Sequence, residues 1–156
     1  MNHRIMTLPP MSTKKGNFMK TIRLLIMSAA LLMLLSCESV RISKITENFD
    51  TTSRGYIRLV RWHDFNKSTL FYVDDSLIED FQKRVSAIKD VNIVDYRIKN
   101  MECRPEKGDA EVLIEWDYYI PPSVKVKTVQ DAQKWRYIAE KDRERWVLMT
   151  LLPDFK

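Results

Sequence analysis

The stretch from Ala110 to Ile120 leaves this chain the fewest options. Ala110, Val112, Ile114, Trp116, Tyr118 and Ile120 alternate there with Glu111, Leu113, Glu115, Asp117 and Tyr119. A period of two with one apolar side predicts a strand buried on one face and wet on the other, the hallmark of an antiparallel sheet. Upstream, Val94, Tyr96 and Ile98 alternate with Asp95, Arg97 and Lys99, and Met101 with Cys103 then shifts phase. That shift predicts a bulge. Pro105-Glu106-Lys107-Gly108-Asp109 reads as the turn between these two strands. Beyond Pro121-Pro122, Val124 and Val126 open a third strand, which changes phase to Val129, Asp131, Gln133, Trp135 and Tyr137. Residues 139–144 read as a charged hairpin loop, with Trp146 and Leu148 opening a fourth strand.

Before Lys89 the period is helical. Tyr56, Leu59, Val60 and His63 share a face, Trp62 flanks it, and Thr51, Thr52 and Ser53 offer caps at its start. Ser76-Leu77-Ile78-Glu79 fits a capping box, followed by Leu77, Ile78, Phe81, Val85 and Ile88 on one face of a second helix. Leu70-Phe71-Tyr72-Val73 is too short to type. Helices followed by a meander of strands predict an α+β fold, with N-terminal helices packed into a four-stranded antiparallel sheet. The 120 residues from Cys37 onward are enough to fold alone.

Charge divides the chain at the same cysteine. The formal total is +5, but residues 1–36 hold five basic residues and no acidic ones, while the remainder has 21 of each. A neutral remainder argues against a nucleic-acid binder. A hydrophobic content of 45%, three glycines and two cysteines exclude disorder, collagen-like repeats and a disulfide scaffold. From Met19 the chain runs Met-Lys-Thr-Ile-Arg and then twelve uncharged residues, Leu24 to Leu35. That is the apolar length of a secretory signal and is short of a bilayer span. Residues 1–18 read as translation upstream of the true start, or as a long basic region. Leu34-Leu35-Ser36-Cys37 resembles a bacterial lipoprotein lipobox. The resemblance implies cleavage before Cys37, lipidation (palmitate included) of that cysteine, and a lipid anchor in the cell envelope. Glu38 stands where an aspartate often signals inner-membrane retention, which favours the outer membrane, with the domain facing the periplasm. Residues 38–50 then read as a tether, and residues 51–156 as the domain.

The domain resembles the nuclear transport factor 2-like superfamily, which includes ketosteroid isomerase and has a cystatin-like α+β fold. The resemblance rests on helix–helix–sheet order and bulged strands. It rests also on Gln133-Lys134-Trp135 paired with Arg145-Trp146-Val147-Leu148. Arg61-Trp62-His63-Asp64-Phe65 and Leu151-Leu152-Pro153-Asp154-Phe155 are similar to segments of uncharacterised bacterial lipoproteins of this type. It implies a cone, with helices packed into a strongly curved sheet around an apolar pocket.

Trp62, Trp116, Tyr118, Gln133 and Trp135 could line such a pocket around an apolar ligand, or pack as core. His63 is the one histidine after Cys37, read either as a general base or as a histidine bonded to a backbone carbonyl. Asp131 shares parity with Gln133 and Trp135, and reads as a carboxylate facing the aromatics or as a charge at a bulge. No set of base, orienting group and oxyanion donors emerges, so an isomerase or dehydratase is the minor expectation. One histidine and one free thiol point to no metal, and no glycine-rich loop points to a phosphate cofactor. Cys103, the second cysteine, is expected buried beside Met101, with an intermolecular disulfide as the alternative. The expected function is therefore a lipid-anchored, non-catalytic domain that docks an envelope protein or a second copy of itself. The alternative is a carrier of a small apolar ligand.

Overall fold

The computed structural model describes residues 15–140 and 143–156, with side chains from Glu38 onward except at residues 67, 68, 141 and 142. Contacts divide the chain into a unit Met1–Val40 and a unit Arg41–Lys156. The first holds the start of helix α1 (Lys15–Trp62). The second contains the rest of α1, a 3-10 turn (Lys67–Tyr72), a shorter one (Asp75–Leu77), helix α2 (Ile78–Ala87), and strands β1 (Asn92–Arg104), β2 (Asp109–Tyr119), β3 (Lys127–Glu140) and β4 (Arg143–Leu148). The strands form one antiparallel sheet in the order β1-β2-β3-β4. The α+β class and the four-stranded meander are as expected.

Most of the expected tether, residues 41–50, belongs to the folded unit. Residues 41–50 are helical, and Ile45 and Phe49 are buried. They precede Tyr56 by eleven and seven residues, continuing its stripe backward along the same helix. Ser53 therefore caps nothing, and its hydroxyl donates to the Asp50 carbonyl inside the helix (3.2 Å). The buried stripe is Ile45, Phe49, Ser53, Tyr56, Ile57 and Val60; Leu59, expected on it, is half-buried.

The helix stops at His63, whose φ is 53°. The amide of His63 donates to the Val60 carbonyl and that of Asp64 to the Leu59 carbonyl (3.2 and 3.0 Å). This paired closure normally takes glycine at the left-handed position. After the first 3-10 turn, Val73 pairs in parallel with Leu148 and covers the β4 edge. The capping box expected of Ser76 and Glu79 does not form: α2 has Leu77 at its N-cap with no side-chain bond, and Asp74 caps the short 3-10 turn, its carboxylate accepting from the Ser76 amide (3.1 Å) and hydroxyl (2.6 Å). Of the α2 face, Phe81 and the following Ile88 are buried.

In β2 the alternation holds, with Ala110, Val112, Ile114, Trp116 and Tyr118 all buried. Strand β1 has two register shifts, at Ile93/Asp95 and Ile98/Asn100, not one. The first turns Val94 outward, 44% exposed, and gives its inner place to Ile93. Val124 and Val126 lie outside β3 at 85% and 52% exposure, because pairing with β2 begins only at Tyr118↔Lys127. At the other end the expected loop over 139–144 is mostly strand: Ala139 pairs with Glu144 and Glu140 with Arg143.

Candidate functional site

The expected pocket residues separate into three places. Trp116, Asp131, Gln133 and Trp135 come together under the helices, because Asp131, Gln133 and Trp135 share parity on β3 and Trp116 lies alongside on β2. Asp131 Oδ2 accepts from Trp116 Nε1 (3.2 Å) and Gln133 Nε2 (2.7 Å), and Gln133 Oε1 accepts from Trp135 Nε1 (3.2 Å). The ring of Tyr56 meets Trp135 edge-on at 5.6 Å. Burial pushes the Asp131 carboxyl up, against the pull of its two donors. Burial, helped by the Asp131 charge, also pushes the Tyr56 hydroxyl well up. Both indole N–H groups and the Gln133 amide thus find partners within the cluster. Trp116 is 0% and Trp135 2% exposed, so of the two readings, pocket lining or core, these rings take the second.

Tyr118 belongs elsewhere: its hydroxyl donates to the Lys156 carbonyl (2.6 Å) and its ring meets Phe155, pinning the C-terminal segment. Trp62 is 70% exposed, with the Arg61 guanidinium stacked 4.9 Å from its ring. The Cys37 side chain lies outside the described residues. Cys103 is half-buried and free, and burial pushes its thiol up.

His63 sits at the end of α1, bonded to the Ile88 backbone, with Nε2 buried and without a hydrogen-bond partner among the described residues. Its ring meets Phe65 edge-on at 5.8 Å, and Phe65 meets Phe81 at 6.3 Å. Burial lowers the imidazole pKa, and the Arg61 charge adds to this. The folded form therefore binds its proton less readily than the unfolded chain, whose histidine titrates near 6.5. Stability is expected to be full above that pH and to fall as pH drops from about 7 toward 5. Denaturant titrations of wild type and His63→Gln check this: the variant should lose that part of the slope.

Phe65 and Phe81 also line an open space that sequence reasoning did not find. A groove of about 640 Å³ lies between the first 3-10 turn and α2, with Phe65, Leu70, Phe81 and Val85 as its apolar lining. Asn66, Thr69, Gln82 and Ser86 form the polar lining. The only signal available beforehand was that Phe81 and Val85 face the same way on α2. The outer face of the sheet is different in kind. Arg97 pairs there with Asp117 (2.5 Å) and Glu115, and Arg104 with Glu102, Asp109 and Glu111. It offers charge, not apolar area, to a partner.

Among the described residues no group of three or more His, Cys, Asp or Glu side chains is placed to hold a metal ion. No helix among them is long and apolar enough to cross a membrane. Comparison with known proteins finds no matching family model, curated protein or solved structure.

Proposed function

We propose that the protein is an envelope lipoprotein, anchored in the outer membrane through lipid on Cys37, whose nuclear transport factor 2-like domain binds a protein partner and catalyses nothing. The observation that carries the binding reading is where the free apolar space lies. Trp116, Asp131, Gln133 and Trp135 use their polar atoms on one another in the interior, while the groove beside α2 opens outward. A buried carboxylate whose Oδ2 already accepts two N–H donors is a poor general base. A shallow apolar floor ringed by amides and hydroxyls suits an apolar side chain of a partner, with hydrogen bonds at its margin. The lipid anchor is supported by the basic start, the twelve uncharged residues and Leu34-Leu35-Ser36-Cys37. Helices against a bulged antiparallel sheet support the fold family.

A photo-crosslinking residue at Ser86 in intact cells is expected to give one discrete adduct, reduced at least tenfold by Val85→Lys. An adduct pattern unchanged by Val85→Lys counts against the groove. Cys37→Ala is expected to leave an unlipidated precursor; normal lipid labelling of that variant overturns the anchor. The volume of the groove favours a second reading, since about 640 Å³ also suits a small apolar molecule. Native mass spectrometry of the purified protein separates the two, through a small mass released on denaturation.

A further inference from the structure

We infer that the domain stands close on the bilayer holding its anchor, with the end formed by Arg41 and the β1–β2 turn toward the lipid headgroups. The inference rests on the lipid-anchor reading of Cys37. Its physical content is the length of chain between that cysteine and the first core residue. Ile45 is buried, and the carbonyl of Ile45 accepts from the buried Trp146 Nε1 (3.1 Å). Ile45 lies eight positions beyond Cys37. As helix that stretch spans about 12 Å, and fully extended about 28 Å. A tether running to residue 51 would have allowed nearly twice that reach.

The topology settles which end is held down. In an antiparallel meander successive connections alternate between ends, so the β1–β2 turn lies at one end, with the end of β3 and the start of β4, and the β2–β3 loop takes the other. The anchor side of α1 lies at the first. Thr46 reaches the Cys103 thiol near the end of β1, and the Arg41 charge acts on the Tyr137 hydroxyl near the end of β3. The far side of α1 lies at the second, where Arg61 donates to the Ile93 and Val94 carbonyls at the start of β1. Strand β2, eleven residues, separates the two ends by about 35 Å. Val124, 85% exposed in the β2–β3 loop, therefore points away from the membrane, and Lys107 in the β1–β2 turn points toward it.

The test uses the full lipidated chain in phosphatidylethanolamine–phosphatidylglycerol vesicles carrying a nitroxide on the headgroup. A fluorophore is placed through Lys107→Cys or Val124→Cys, each combined with Cys103→Ser. Quenching at position 107 is expected to exceed that at 124 at least threefold. A 20-residue Gly/Ser insertion between Val40 and Arg41, with an r.m.s. reach of about 25 Å, is expected to bring the ratio near one. Equal quenching at the two positions of the uninserted protein, with acyl chains on Cys37 confirmed by mass, overturns the apposition while leaving the anchor standing. A mass showing no acyl chains overturns the anchor, and the apposition with it.

Discussion

A chain cut to begin at Thr51 is expected not to fold, whereas one beginning at Glu38 unfolds cooperatively. The ring of Phe49 packs against Trp146 at 5.0 Å and Trp135 at 6.1 Å, and Phe49 is only 1% exposed. Removing a buried Phe or Ile side chain costs about 2–5 kcal/mol each. The shorter chain loses Phe49 and Ile45 together, and strips the Trp146 indole N–H of the Ile45 carbonyl that accepts from it. An orphaned buried donor adds about 1–3 kcal/mol. These losses rival the 5–15 kcal/mol that holds a domain of this size together. Near-ultraviolet circular dichroism and denaturant titration of the two chains check the expectation. Phe49→Ala in the full domain should lower the stability by about 3–5 kcal/mol with an unchanged denaturant slope. A chain from Thr51 that unfolds as cooperatively as the longer one would return residues 38–50 to the role of a tether.

Why that segment was misread shows what a sequence of this kind reveals. Between Glu38 and Asp50 the residues are mostly polar, and only Ile45 and Phe49 reach the core. Two apolar residues four apart carry a helical period only when read backward from Tyr56. Strand β2 was legible because five consecutive inner positions are apolar and nothing interrupts the alternation. Strand β1 was legible only in part, since each bulge reverses the parity and Val94 sits at the first. Parity left Asp131 either facing the aromatics or standing as a charge at a bulge, and its burial beside Trp116 and Gln133 selects the first. Whether those aromatics enclose a hollow depends on how Trp116, Trp135, Tyr56 and Phe49 interlock, and no period encodes that. The groove was invisible for a related reason: Phe65, Leu70, Phe81 and Val85 come from three segments that only the tertiary fold brings together.

Gln133→Leu is expected to be among the most damaging substitutions of a polar residue, although leucine fits the volume. Gln133 is 2% exposed and serves two neighbours at once, donating to Asp131 and accepting from Trp135. Its loss orphans a buried indole N–H and removes one of the two donors on a carboxylate that is 4% exposed. Orphaned buried groups cost about 1–3 kcal/mol each, more where charge is involved, so the variant should lose about 3–5 kcal/mol at pH 7. The pH dependence carries the sharper signature. Burial already raises the Asp131 carboxyl, so the folded protein holds that proton more tightly than the unfolded chain, which releases it near pH 3.9. The contribution of this group to stability is thus full below that pH and is lost as pH rises through the folded value. Removing the Gln133 donor raises the carboxyl further, so the deficit of the variant should be smaller at pH 4 than at pH 7. Asp131→Asn removes the charge whose isolation causes the damage, so combining it with Gln133→Leu should cost less than the two single losses added together. Denaturant titrations of the four proteins at both pH values measure this coupling, and a Gln133→Leu loss that is the same at both would mean the carboxylate takes no part in it.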